Sequence, residues 1–201
     1  HERMLKTLLG TGRALQEFCQ EFRSGNHQTA GTIGLLNIVI SMPEFREAGQ
    51  WRDTAVARVK DNAEHEFYAD GCHIERNPSS YMGMVVGLMR AAIPLLQAAG
   101  VQTEALAPIR ARLEKADEWW MWAMTPLGTL PALGDGGHGY PAASLREGAE
   151  EYHRPDFRAV VERLVDGNKE PLPALPTATS VHLEPSGVAV MRSGWQRDSA
   201  Y

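Results

Sequence analysis

Cysteine is nearly absent: Cys19 and Cys72 are the only two in 201 residues. Two thiols make neither a disulfide framework nor a zinc site, and they do not fix the compartment. Long apolar runs are missing too. The longest, Ile33 to Met42, is too short and too interrupted to span a bilayer, so no membrane partner is expected. Positive charge is in deficit, with 20 Lys and Arg against 25 Asp and Glu and a formal net charge of -5. A general nucleic-acid binder should be basic, so nucleic acid is not an expected partner. An acidic substrate stays possible, because a site can be locally basic on an acidic protein. There is no repeat of fixed period, which removes a short-repeat solenoid. No signal peptide is visible, and the chain enters directly on a helical pattern at His1. It reads as a piece of a longer protein, in which case a missing leader says nothing about export.

What is present is an ordinary globular composition, 43% apolar and 22% charged, with length enough for one sizeable core. Helical periodicity dominates the first 124 residues. Met4, Leu8, Leu15, Phe18, Cys19 and Phe22 give an amphipathic helix up to about Arg23, stopped by Gly25. Thr29 to Ser41 is nearly continuous in apolar residues and reads as a buried helix ended by Met42-Pro43. A third helix runs from Glu44 to about Phe67, with Trp51, Val56, Val59, Ala63 and Phe67 on one face. A fourth runs from Ser79 to about Ala98, with a kink expected at Pro94. A fifth runs from Thr103 to about Met124. Long helices on short loops describe stacked antiparallel hairpins.

The pattern changes after Thr125. Pro126 to Pro141 is a loop rich in Gly and Pro, too long to be a simple connector. Its Gly136-Gly137-His138-Gly139 lacks the Lys and the preceding strand of a phosphate-binding loop. Two short helices are predicted at about Ala143 to Tyr152 and Pro155 to Val165. A linker, 171–179, follows. Ser180 to Leu183 and Gly187 to Arg192 then read as strands around a Glu184-Pro185-Ser186-Gly187 turn. Two strands alone do not make a stable sheet, so a β domain is expected to start here.

Chemistry concentrates in Ala69 to Gly83, a loop of acid, base and phenol that opens an apolar helix. Asp70-Gly71 and Asn77-Pro78 are turn dipeptides. Asn77, Ser79 or Ser80 can cap the helix, and Tyr81 falls in its first turn. A second loop, Ser24-Gly25-Asn26-His27, also ends one helix and opens another. Both also fit a plainer description: capped loops, one anchored by a Tyr and one carrying a surface imidazole. Trp119, Trp120 and Trp122 offer a sugar-stacking platform, although helical spacing lets only one or two face away from a core.

Three segments in order resemble the heparinase II/III-like polysaccharide lyases: Gly25-Asn26-His27-Gln28; Asp70-Gly71 with Glu75 and Pro78 leading to Tyr81; and Ser186 to Trp195 with Asp198 and Tyr201. The resemblance implies an α/α toroid followed by an antiparallel β-sandwich. This chain would hold the later part of the toroid (1–170) and the first strands of the sandwich (180–201). It implies a periplasmic or secreted parent without cofactor or metal that breaks uronate-containing polysaccharides by β-elimination. By motif match, Asn26 and His27 would meet the substrate carboxylate and Tyr81 would act on the glycosidic oxygen, all three clustered. His73, Glu75, Arg76, His138 and Tyr140 would line the substrate site. The family's further catalytic groups would lie beyond Tyr201. Two departures stand out: no Glu follows the Asn-His pair, where Thr29-Ala30 stand, and Met82 replaces the usual His after the Tyr.

The chemistry explains the residue types. Elimination takes the weakly acidic C5 proton of a uronate, and the enediolate gathers negative charge on the carboxylate. Donors placed there stabilise that charge where it develops, and Asn amide and His imidazole are donors. A phenol of pKa about 10 serves unmodified as the acid for the leaving oxygen. As a base it needs positive charge nearby, for which His73, Arg76 and the domain expected beyond Tyr201 are candidates. Two other functions fit the same residues: a glycoside hydrolase using two of Asp70, Glu75 and Asp135, and a helical carbohydrate-binding module without turnover.

Overall fold

The computed structural model describes residues 1–21 and 24–201. The expected helix end near Arg23, and the core position given to Phe22, lie outside these residues. The described chain is mainly helical, with a single two-stranded antiparallel sheet. It divides into two compact units, one of His1–Glu66 and Met84–Ala111, the other of Phe67–Gly83 and Arg112–Tyr201.

The first unit holds α1 (Glu2–Glu21), α2 (Asn26–Ser41), α3 (Ala48–His65) and most of α4 (Tyr81–Ala98). Helix α1 packs on α2 and α3, and α2 packs on α3. Gly12 of α1 lies against the Trp51 ring, where no side chain fits. Leu35, Leu36, Ala55 and Val59 are fully buried. Helix α2 starts at Asn26, three residues before the sequence signal at Thr29. Polar side chains suit a first turn, where the backbone N–H groups lack helical partners. Helix α3 is shorter than predicted at both ends. Its N-terminal approach is taken up by turns, with Phe45 N–H on Met42 O and Ala48 N–H on Phe45 O. Helix α4 continues through Pro94, flanked by buried Ala92, Ile93 and Leu96. Tertiary packing there outweighs the lost backbone hydrogen bond. By length and composition alone α4 is long and apolar enough to cross a membrane. Its Val85, Val86, Met89 and Leu96 belong to the protein core. The fifth predicted helix is split into a 3-10 turn, Thr103–Leu106, and α5 (Ala107–Ala123). Pro108 accounts for the new start, since proline suits a first helical turn.

The second unit takes α5 from Arg112 onward, α6 (Ala142–Glu151), α7 (Pro155–Leu164), β1 (Val181–Leu183) and β2 (Val188–Val190). Helices α6 and α7 pack together, and Met121, Met124, Leu145, Phe157, Val160, Leu164 and Trp195 form the core. The strands pair Val181 with Val190 and Leu183 with Val188, and Gly187 turns at φ 71°. They are shorter than predicted. Arg192 leaves the ladder to lie over the Trp195 ring, 4.0 Å from its centre. The tryptophans make no sugar platform. Trp119 and Trp120 are buried, and Trp122 packs on Trp195 with ring centres 5.5 Å apart. Outside the hairpin, isolated bridges join Phe67 to His73 and Leu130 to Gly139.

Candidate active site

In the first unit, the start of α2 is tied to the end of α3 by buried polar groups. Gly25 N–H donates to Glu66 Oε1 at 2.7 Å, and Glu66 is 2% exposed. Asn62 Nδ2 donates to Gln28 Oε1 at 2.6 Å and to Thr29 Oγ1 at 3.0 Å, all three side chains being fully buried. The ties fix the backbone of the first turn. Asn26 is buried within it and His27 is exposed. No carboxylate follows the Asn-His pair on α2 itself; the one bound at this helix end comes from Glu66.

In the second unit, the loop before α4 is built on one carboxylate. Asp70 Oδ1 accepts the Cys72 N–H at 3.1 Å, and Oδ2 accepts the Ser186 N–H at 2.9 Å. Ser186 also accepts the Trp119 indole N–H at 3.1 Å and donates to Leu183 O. The hairpin turn is thereby seated on the loop. Gly71, at φ 96°, closes the turn with its α-carbon against the Lys115 carbonyl, leaving no room for a side chain. Cys72 is buried and its thiol pKa is pushed up to about 12, first by desolvation and then by the Asp70 charge. Asp70 is thus committed to backbone amides.

The end of this loop carries Tyr81. Asn77 Oδ1 accepts the Ser80 N–H at 3.0 Å, capping the turn that leads into α4. Its Nδ2 donates to Asp135 Oδ1 at 2.8 Å. The Tyr81 hydroxyl donates to Asp135 Oδ2 at 3.0 Å. Trp120 Nε1 holds the Pro78 carbonyl from beneath at 2.9 Å. The Gly-rich loop lies close here, since a Cβ at Gly136 would strike the Asn77 and Ser79 side chains. The Tyr81 pKa is raised, chiefly by the hydrogen bond to Asp135 and then by the Asp135 charge, with burial and Glu75 adding in the same direction. A phenolate base needs positive charge, from His73, Arg76 or the domain expected beyond Tyr201. Within this chain the charges felt at the phenol are negative.

The other candidates are dispersed through this unit. His73 is fully buried, edge-on to Phe67 with ring centres 5.4 Å apart, and its Nδ1 accepts the Glu75 N–H. It organises the loop from inside. Glu75 and Arg76 are exposed. Arg76 lies over the Tyr68 ring and donates to its hydroxyl at 2.9 Å. His138 is exposed, with Nδ1 3.4 Å from Leu130 O, and Tyr140 is 78% exposed. Met82, at the position of the family's His, is fully buried. Asp135, which the sequence offers only as a carboxylate of the hydrolase alternative, is instead the partner of Tyr81. The available signal was a carboxylate flanked by Gly134 and Gly136, both free of bulk. Among the described residues no group of three or more His, Cys, Asp or Glu could hold a metal ion.

No curated protein matches the chain in sequence. Two solved enzymes resemble it in fold. A heparinase III, the BT4657 gene product, is 21% identical with a TM-score of 0.66, over 89% of this chain and 27% of that one. The heparan sulfate lyase HepC from Pedobacter heparinus is 19% identical with a TM-score of 0.64, over 92% of this chain and 29% of that one. The chain therefore spans less than a third of either enzyme, and shares their helical fold and the start of their sheet domain. The family model described as Heparinase II/III N-terminus matches residues 3–153. The chain belongs to the heparinase II/III family.

Proposed function

We propose that the full-length protein is a polysaccharide lyase that cleaves an acidic, uronate-containing glycan by β-elimination. Residues 1–170 are assigned to its α/α toroid and 180–201 to the start of a β-sandwich, in a protein exported to the periplasm or beyond. In the proposed reaction a base takes the C5 proton and its electron pair forms the C4–C5 double bond. The C4–O bond breaks, and the leaving oxygen takes its proton from the Tyr81 hydroxyl. Asn26 and His27 are assigned to the uronate carboxylate, where charge develops. The observation that carries this reading is Tyr81 itself, a phenol at a helix start, held as a hydrogen-bond donor in a chain of this family. His73 is assigned to shaping the loop, and Glu75, Arg76, His138 and Tyr140 to the glycan's surroundings.

The hydrolase alternative is weakened because Asp70 is engaged by two backbone N–H groups. The test is to offer the full-length protein alginate, heparan sulfate, hyaluronan and chondroitin. A lyase yields an unsaturated sugar that absorbs in the near ultraviolet; a hydrolase or a binding module does not. On the substrate that responds, Tyr81→Phe is expected to lower kcat by about 10²–10⁴-fold, the usual worth of a general acid. Near-wild-type turnover in Tyr81→Phe, or loss of turnover in Glu75→Gln alone, would refute the assignment.

A further inference from the structure

We infer that Asp135 is the positioning residue of Tyr81: from the Gly-rich loop its carboxylate fixes where the phenol sits and holds its hydroxyl hydrogen until a substrate oxygen takes it. The inference rests on the lyase reading and adds a residue outside the three segments that carry the family resemblance.

The geometry is a three-residue relay. One Asp135 oxygen is occupied by the Asn77 amide at 2.8 Å, which anchors the carboxylate on that side. The other is left for the Tyr81 hydroxyl at 3.0 Å. Asn77 is 2% exposed and its own oxygen caps the turn before α4. The carboxylate is thus referenced to the same turn that carries the phenol. Gly136 allows the approach, because any side chain there would displace Asn77 or Ser79. A carboxylate at this distance is an acceptor only, so the phenol must present its hydrogen and remain protonated. The charged groups felt at the phenol are Asp135 and Glu75, both acidic, and both raise its pKa. Tyr81 therefore enters the reaction as a proton donor, and a different group takes the C5 proton. The C4 alkoxide is a much stronger base than a phenolate. The one hydroxyl hydrogen turns from Asp135 Oδ2 to the leaving oxygen by rotation about the Cζ–Oη bond, so placement of the ring and its protonation state, rather than acid strength, limit the step.

Asp135→Asn in the full-length protein separates this from a structural role. The amide oxygen can still accept from Asn77, which turns its NH2 toward the Tyr81 oxygen. The phenol then receives a hydrogen bond where it used to give one. On a substrate that yields unsaturated product, kcat should fall about 10-fold, short of the roughly 10²–10⁴-fold worth of the general acid itself, with KM nearly unchanged. The alkaline limb of the kcat profile should move to lower pH. A second measurement needs no substrate. The ultraviolet titration of phenolate, wild type minus Tyr81→Phe, should place Tyr81 above the free-tyrosine value of about 10, and Asp135→Asn should bring it down. Asp135→Glu, which keeps the charge, should recover part of kcat and leave the limb near its wild-type position. An unmoved alkaline limb with unchanged kcat overturns the inference, as does a wild-type Tyr81 titration at or below the free value. If the wild type makes no unsaturated product from any acidic glycan, the lyase reading fails. The phenolate titration then still decides whether Asp135 holds Tyr81.

Discussion

Replacing Asp70 with Ala removes one side chain and orphans two backbone donors. The Ser186 N–H is the more costly. Ser186 is 1% exposed, so no water replaces the lost acceptor. A buried donor left unpaired costs about 1–3 kcal/mol. The Cys72 N–H, held in a local turn only two residues from Asp70, adds the worth of an ordinary hydrogen bond, about 1 kcal/mol. The sum is about 2–4 kcal/mol, and it falls on one place, the contact between the loop before α4 and the hairpin turn. Asp70→Asn retains one acceptor and should show about half the effect. Amide hydrogen exchange reads this locally, which suits a chain of two compact units better than a single unfolding midpoint. In Asp70→Ala, exchange in the peptide containing Ser186 should accelerate by about 30-fold to 10³-fold, the kinetic equivalent of that energy at 1.4 kcal/mol per decade. Peptides of α1 to α3 should keep their rates. Unchanged protection at Ser186, or equal acceleration in α2, would show that the carboxylate does not carry the joint.

Gly71→Ala should destabilise the second unit by more than the roughly 1–3 kcal/mol of backbone strain, because the new methyl also meets the Lys115 carbonyl. Gly137→Ala, where nothing lies within 4 Å, is the matched control, and thermal melts of both variants decide the point. Cys72 should resist disulfide-exchange reagents at pH 8 in the folded chain and react on adding urea, since the thiolate is the nucleophile and burial keeps it protonated. Its folded pKa, about 12, lies above the unfolded thiol value of about 8.5. The resulting stabilisation is complete below about pH 8.5 and is lost as pH climbs toward 12. The raised pKa values of Cys19, Tyr81 and Tyr201 act with the same sign. The urea midpoint should therefore fall, not rise, between pH 9 and 11.

What could be read from the sequence was what local periodicity controls. The apolar faces of α1, α2 and α4, the change of character after Thr125 and the hairpin around Gly187 all follow from spacing within a few residues. Helix starts were less legible. Asn26 and His27 carry no apolar signal, yet they sit inside α2 because first-turn amides accept polar neighbours. The tryptophans were ambiguous because spacing shows that they share a helix and not which face is covered. Least legible were bonds over long sequence separations. Tyr81 meets Asp135 across 54 residues, and Asp70 meets Ser186 across 116. Nothing in either member of these pairs announces the other. Each depends on glycines that let two loops approach, at Gly136 for the first and Gly71 for the loop of the second.

Glu66 has a consequence for how the start of α2 would meet a polyanion. A helix N-terminus carries about half a positive charge from its aligned peptide dipoles. Here a buried carboxylate is already bound at that end, on the Gly25 N–H. Much of the local field is thereby cancelled before any ligand arrives. What Asn26 and His27 can then offer is directional donation more than net attraction. Contacts of that kind are short-ranged and little affected by ionic strength. Salt screens interactions that reach beyond the Debye length, about 8 Å at physiological salt and about 3 Å at 1 M. Under the proposed assignment, a grip made by these two donors would loosen less with added salt than one made by a cluster of lysines and arginines.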